Sequence, residues 1–202
     1  EELSKRWAAT FELVTVSILL AILFGIPIGI LSATHKDKPL DHVSRAASIS
    51  GVAMPIFWLG MTLQLILHGR LGLLPLQGRI DSQILIDHPI QLISGFYLID
   101  SLVTGNWPAL FSAINHMIMP AMALSCASLA VVTRMSRSSM LEVLREDYVQ
   151  TSMAYGVSTR DILYKYALKN ALIPTVTVVG LSYGLMLGGS FLVESIFDWP
   201  GL

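Results

Sequence analysis

Residues 133–170 read TRMSRSSMLEVLREDYVQTSMAYGVSTRDILYKYALKN, a polar stretch between two long apolar runs. It holds six of the thirteen Lys and Arg residues of the chain. Its apolar residues still recur at helical spacing. They form two series with steps of four, Met140–Leu144–Tyr148 and Leu163–Ala167. The pattern predicts amphipathic helices held at a membrane surface.

Two capping boxes and a glycine divide this stretch. Ser139 stands three before Glu142, and Ser158 three before Asp161, which is the spacing of helix starts. Gly156 lies between the two helical series, and glycine permits backbone turns that other residues resist. We therefore predict a helix, a tight turn and a second short helix. A solvated amphipathic loop is the alternative interpretation of this stretch taken by itself.

The composition of the whole chain indicates a lipid environment. Of its 202 residues, 53% are hydrophobic and only 13% are charged, whereas a soluble domain carries about a quarter charged residues. The net charge of −1 implies no attraction to nucleic acid. The one cysteine, Cys126, cannot form an internal disulfide, and the scattered histidines predict no metal site. We expect no cofactor.

Four segments are apolar over a length that can cross a bilayer, which takes about 20 residues as a helix. They cover residues 10–33, 46–67, 116–132 and 171–193, and none contains Lys or Arg. The sequence therefore predicts an all-α, polytopic membrane helix bundle. Glu12 and Glu194 stand near span ends, where we expect them at the water boundary.

The distribution of cations predicts the orientation. Loops 34–45 and 133–170 together hold nine Lys and Arg residues, against four on the opposite side. Since cytoplasmic loops are enriched in cations, both loops are predicted to be cytoplasmic. Loop 69–112 and both chain ends are then extracytoplasmic. Because this loop is long, we expect a role for it, with an outer helix or re-entrant piece in its apolar part.

The sequence of the polar stretch resembles that of a known protein family. Residues 138–180 closely resemble the cytoplasmic loop of type I ABC importer permeases, most strongly the branch that moves dipeptides, oligopeptides and nickel. Asp147 and Tyr148 match the Asp-Tyr pair of that loop, and Ala154 and Gly156 match its Ala-x-Gly turn. Residues 167–174 match its exit into the next membrane helix. Residues 95–124 and 194–202 resemble other parts of the family, so the likeness covers nearly all of the chain.

One position departs from the general family. The motif ahead of its glycine is Glu-Ala-Ala, whereas Gln150, Thr151 and Ser152 stand here. The peptide branch often departs there too, so the match is to an EAA-like motif.

The resemblance implies a fold and a set of partners. The chain is expected to carry the second to fifth helices of a six-helix ABC importer type I transmembrane domain, as one partial domain over residues 1–202. The implied partners are ABC ATP-binding subunits, a second homologous permease subunit and an extracytoplasmic solute-binding protein. The implied location is the inner membrane. In the family, a short coupling helix docks into the ATP-binding subunit. The corresponding residues here are Asp147, Tyr148, Ala154, Tyr155, Gly156, Val157, Ser158, Arg160 and Asp161.

Several residues are candidate hinges for the motion that such coupling requires. Pro27 and Pro55 lie within apolar spans with nearby glycines, where a proline permits a kink. Asn170 and Pro174 lie where the polar stretch enters the last span. Gly184 and Gly188 form a Gly-x-x-x-Gly pattern that allows close helix approach. Pro120 and Pro174 are expected near helix starts.

Other functions remain open at this point. No phosphate-binding Gly-x-x-x-x-Gly-Lys motif is present, so an ATPase activity of this chain is not predicted. The same scaffold also serves nickel or another small solute. An ion-coupled secondary transporter would favour carboxylates deep in the spans, and none is seen. A membrane scaffold without transport is a third alternative.

Overall fold

The computed structural model describes the backbone of residues 2–201 and the side chains of residues 6–201. Within that part the chain forms helices and no strand, which confirms the all-α prediction. Glu1 and Leu202, the ends expected outside the cytoplasm, lie outside the described residues. The helices are α1 (Glu2–Thr34), α2 (Pro39–Ala53), α3 (Ile56–Arg70), α4 (Ser82–Asp87), α5 (Tyr97–Val103), α6 (Trp107–Val143), α7 (Asp147–Ala154), α8 (Thr159–Gly189) and α9 (Phe191–Ile196).

Three of the described helices are long and apolar enough to cross a membrane: α1 from Arg6 onward, α6 and α8. Helices α2 and α3 meet the same criteria only as a pair, which raises the number to four if they form one span. Their interruption falls at Pro55, whose backbone is extended, with φ −63° and ψ 131°. Proline lacks an N–H group and disfavours helix in the residue before it, so the chain breaks there.

The helix bounds differ from the predicted ones in several places. The capping box at Ser139 is wrong, because Ser139 is buried inside α6 and that helix continues to Val143. In the series from Met140 to Tyr148, Met140 therefore lies in α6, Leu144 in the turn after it and Tyr148 in α7. The second helix is not short, since α8 runs on from Thr159 to Gly189. Pro120 and Pro174 lie inside α6 and α8 and not near helix starts.

Within the described residues, one compact unit consists of residues 2–17, 54–125 and 184–201. Gly60 of α3 packs against Phe197, where an added Cβ would lie 3.3 Å from the ring. The Gln64 side chain donates a 3.0 Å hydrogen bond to the Ile196 carbonyl. The Trp199 indole donates to the Ala9 carbonyl at 3.0 Å. Contacts to α1 and α3 therefore hold the segment after α9 in place.

The other unit consists of Ile18–Ala53 and Cys126–Tyr183. Gly29 of α1 lies so close to α6 that an added Cβ would approach the Thr133 carbonyl to 2.6 Å. The glycine therefore serves close helix packing here. Buried side chains from α1, α6 and α8 form the core next to this contact, namely Ala33, Met140, Ala167 and Ala171.

Candidate functional site

The predicted turn lies between α7 and α8 and is centred on Gly156. This residue has φ +78°, a conformation that side chains with a Cβ rarely adopt. An added Cβ would meet nothing within 4 Å, so the backbone angle and not the space requires glycine. The preceding residue, Tyr155, is 84% exposed. The turn therefore presents a large aromatic side chain to its surroundings.

The predicted cap at Ser158 is confirmed. Its hydroxyl oxygen accepts a hydrogen bond from the Asp161 amide at 3.2 Å and donates one to the Asp161 carboxylate at 2.8 Å. Lys165, one turn further on, lies 2.6 Å from the other oxygen of that carboxylate. These contacts define where α8 starts and hence where the turn ends.

Tyr148 connects α7 to α8. Its hydroxyl accepts a 2.8 Å hydrogen bond from the side-chain amide of Asn170 and donates a longer one, 3.4 Å, to the Tyr166 carbonyl. Val149, the next residue of α7, is fully buried. One face of α7 is thus attached to the rest of the unit, while its end at Ala154 is exposed.

Most of the predicted coupling residues are accessible. Val157 and Asp161 are half-buried, while the others are exposed, namely Asp147, Tyr148, Ala154, Tyr155, Gly156, Ser158 and Arg160. A cavity of about 490 Å³ at the junction of α6 and α7 is lined by both signs of charge, including Arg145 and Asp147. Exposed aromatic rings are enriched at surfaces that contact another protein.

The four candidate hinge residues occupy different positions. Pro27 lies inside α1 without interrupting it, and Pro174 lies inside α8. Asn170 is the residue of α8 that binds Tyr148. Pro55 alone among the four stands at a break between helices. Before Asn170, α8 contains a π-helical stretch from Ile162 to Ala167, a local form that is frequent at functional sites.

A buried ion pair in the same unit was missed from the sequence. The Asp41 carboxylate is fully buried and accepts two hydrogen bonds from the Arg137 guanidinium, at 2.6 and 2.8 Å. The Ser32 hydroxyl and the Asp37 amide donate to it as well. The carboxylate therefore joins α1, α2 and α6. No spacing pattern links residues 96 positions apart.

A second buried ion pair was also missed, in the other unit. Glu12 and Arg79 lie 2.5 Å apart and are 4% and 6% exposed. The Arg79 guanidinium stands 3.7 Å from the centre of the Tyr97 ring, and Glu12 accepts from the Leu98 amide at 2.7 Å. Glu12 thus has protein partners, where a place at the water boundary was expected.

Glu194 is likewise buried, at 4% exposure, where the water boundary was expected. One oxygen of its carboxylate accepts a 2.7 Å hydrogen bond from the Thr10 hydroxyl. Gly201 packs so closely on this carboxylate that a Cβ there would overlap it. Only glycine fits beside Glu194 at that position.

These observations define a helical membrane protein with an exposed polar turn between two of its helices. Residues 25–202 match the family described as "Binding-protein-dependent transport system inner membrane component". The chain belongs to this family, and its apolar helices support a multi-pass location in the inner membrane.

Individual relatives agree with that assignment. The chain is 45% identical over its whole length to the probable D,D-dipeptide transport system permease protein DdpB of Escherichia coli strain K12, and covers 58% of it. It is 42% identical to the dipeptide transport system permease protein DppB of the same strain, covering 59%. It is 36% identical to the glutathione transport system permease protein GsiC of Salmonella choleraesuis, covering 56%. All 202 residues are aligned each time, so the chain spans less than two thirds of these relatives.

Proposed function

We propose that this chain is part of the permease subunit of an ATP-driven importer of di- or oligopeptides. The names of the relatives, which refer to dipeptides and glutathione, support the substrate class. The observation that carries the mechanism is the continuity of α8. It starts at the exposed turn and runs without interruption through the apolar span to Gly189.

In this proposal, ABC ATP-binding subunits contact the turn from Ala154 to Ile162 and pull it as they close on ATP. The pull passes along α8 because its helical backbone is continuous from the turn into the apolar span. The hydrogen bond between Tyr148 and Asn170 makes α7 move with α8. ATP is hydrolysed in the partner subunits, and this chain contributes the path for the solute.

The proposed topology has four spans, at residues 10–33, 46–67, 116–132 and 171–193. Loops 34–45 and 133–170 face the cytoplasm, and loop 69–112 faces the solute-binding protein on the other side. A second homologous permease subunit completes the path. Pro55 is proposed as the main hinge, since the helix is already interrupted there, while Pro27, Asn170 and Pro174 bend less.

A substitution in the turn tests the coupling role. Full-length permease with its partner subunits, reconstituted in proteoliposomes, is compared with a Gly156→Glu variant. We expect ATP-dependent dipeptide uptake to be lost while membrane insertion is retained. Gly156→Asn is the matched control, because asparagine tolerates positive φ and adds no charge, and it should keep most of the uptake. If the Gly156→Glu variant showed unchanged uptake and unchanged binding of the ATPase subunits, the proposed coupling role would be contradicted.

The substrate class needs a separate measurement. The same proteoliposomes are supplied with a labelled dipeptide or with Ni²⁺, each with its binding protein. ATP-dependent accumulation of the dipeptide alone supports the peptide assignment. Accumulation of Ni²⁺ alone would mean that the permease imports a metal ion and not a peptide. The proposed coupling role of the turn would not be affected.

A further inference from the structure

Helix α5 is amphipathic, but it buries its polar residues and exposes apolar ones, which is the reverse of a helix on a water-exposed surface. Its polar residues Asp100 and Ser101 are both 1% exposed. Three of its apolar residues, Ile99, Leu102 and Val103, are 52%, 57% and 69% exposed, while Tyr97 and Leu98 are half-buried. A helix on a protein in water buries the apolar stripe and exposes the polar one. The surroundings of α5 are therefore expected to be apolar.

The buried face of α5 is organised by the Asp100 carboxylate. It accepts hydrogen bonds from the amides of Ile93, Ser94 and Gly95 at 3.1, 2.9 and 3.0 Å. The Ser94 hydroxyl donates to it at 2.6 Å. The irregular backbone before α5 thus finds its acceptors inside the protein. In contact with hydrocarbon, such backbone is tolerated only when its polar groups are satisfied in this way.

The exposed apolar surface continues from α5 into α6. Trp107 and Phe111, in the first two turns of α6, are 56% and 63% exposed. We call the five exposed side chains the α5 face, namely Ile99, Leu102, Val103, Trp107 and Phe111. The continuity matters because α6 is itself one of the helices suited to cross the membrane.

The length of α6 places the α5 face at the edge of the bilayer. No Lys or Arg occurs from Ile80 to Thr133, and the first cation of α6 is Arg134. The part of α6 from Trp107 to Thr133 is about 40 Å long at 1.5 Å per residue, close to the thickness of a bilayer with its headgroup layers. With Arg134 in one headgroup layer, Trp107 reaches the other, where tryptophan is enriched.

We propose that the α5 face is a lipid-contact surface, which lies at the boundary between headgroups and acyl chains and is covered by phospholipid. The absence of cations on residues 80–133 favours acyl chains over anionic headgroups as its main contact. The surface fixes how deep the loop before α6 lies in the membrane. This inference depends on membrane placement and not on which solute is carried.

Spin-label accessibility tests the inference on the full-length permease, assembled with its partners in nanodiscs of phosphatidylcholine and phosphatidylglycerol. Single labels are placed at Leu102 and Val103, with Cys126→Ser and all other cysteines removed. Oxygen concentrates in lipid, whereas a nickel chelate stays in water. We expect the labels to collide more often with oxygen than with the water-soluble nickel chelate. A label at Gln83, an exposed polar residue of α4, is the matched control and should show the reverse order.

Two results would overturn the inference. Frequent chelate collisions at Leu102 and Val103 would place the face in water. Low collision rates with both reagents would mean that another protein segment or subunit covers it. A second measurement uses no spin label and therefore does not depend on the labelled variants being folded. The difference in tryptophan fluorescence between the unmodified permease and Trp107→Phe is the emission of Trp107 alone. This emission should be quenched in nanodiscs of brominated phosphatidylcholine, and an unquenched emission would contradict lipid contact.

Discussion

The side-chain amide of Asn170 donates a 2.8 Å hydrogen bond to the hydroxyl of Tyr148, and so connects the helix before the Gly156 turn to the helix after it. The two residues are 22 positions apart. Both are exposed, so the bond holds α7 against α8 at the surface, where a partner subunit would pull. A bond of this kind stabilises by about 1 kcal/mol. Its removal should weaken the connection without unfolding the unit.

Tyr148→Phe is therefore expected to reduce transport more than folding. The variant loses both hydrogen bonds of the hydroxyl, so α7 can separate from α8 when the ATPase subunits close. We expect less dipeptide taken up per ATP hydrolysed in proteoliposomes, with a melting temperature close to that of the unmodified protein. The matched control is Tyr166→Phe, whose hydroxyl makes no hydrogen bond to the described residues. Equal coupling ratios in the two variants would contradict a role for the Tyr148 bond.

Tyr155→Ala tests whether the exposed aromatic ring is a docking contact. The side chain is 84% exposed, so its truncation should leave the stability of the unit unchanged. Because aromatic anchors dominate many interfaces, we expect weaker co-purification of the ATPase subunits, with affinity reduced by roughly 30-fold for an anchor worth about 2 kcal/mol. Tyr164→Ala, at 60% exposure and outside the turn, should have a smaller effect. Equal losses would mean that the contact surface is not centred on the turn.

Local sequence patterns predicted the features that depend on neighbouring residues. The turn at Gly156 and the cap at Ser158 each involve groups within three positions of one another. The local sequence is therefore sufficient to predict them. The Ser139 cap failed for a physical reason. Ser139 is buried inside α6, and packing continues the helix through a signal that would start a new one in isolation.

Long-range electrostatics could not be predicted in the same way. The Asp41–Arg137 and Glu12–Arg79 pairs join residues 96 and 67 positions apart. Arg137 and Arg79 were each counted as cations that report orientation, although both are engaged with buried carboxylates. Hydropathy located the spans in the sequence. The observed helix ends differ from the predicted span ends because helices such as α6 and α8 continue beyond the apolar part.

Loss of one member of the Asp41–Arg137 pair should strongly destabilise its unit. Asp41→Ala leaves the guanidinium without its partner and also removes the acceptor for Ser32, so we expect a loss of about 3–5 kcal/mol. The double variant Asp41→Leu with Arg137→Leu leaves no unpaired charge and should lose less than Asp41→Ala alone. Thermal unfolding of the purified permease in detergent measures both. Asp37→Asn, at a side chain that is 70% exposed, is the control and should change little. A double variant at least as unstable as Asp41→Ala alone would contradict the pairing.

Arg79→Lys is expected to behave as a non-conservative change. The guanidinium binds Glu12, donates to the Gly95 carbonyl at 3.2 Å and lies over the Tyr97 ring. Both hydrogen bonds come from one nitrogen, Nη2, so a lysine ammonium could donate them, but it has no planar group to lie over the Tyr97 ring. We expect a lower melting temperature in detergent for Arg79→Lys, and no change for Arg70→Lys, which is exposed. Equal melting temperatures for the two variants would show that the planar geometry is unimportant.

Asp100 should contribute stability that depends on pH. Burial alone would raise the pKa of its carboxyl, but the hydrogen bonds from Ser94, Gly95 and Ile93 outweigh burial and hold the pKa below its ordinary value. A pKa that is lower in the folded state means that the stabilisation is fully present above about pH 3.9, the unfolded value, and is lost as the pH falls through the folded pKa. We therefore expect Asp100→Asn to melt at a lower temperature than the unmodified permease at pH 7, and the gap to narrow below about pH 3.9. Asp87→Asn, at an exposed carboxyl, should show no gap at pH 7, and a gap for Asp100→Asn that stayed constant across the acid range would contradict the assignment.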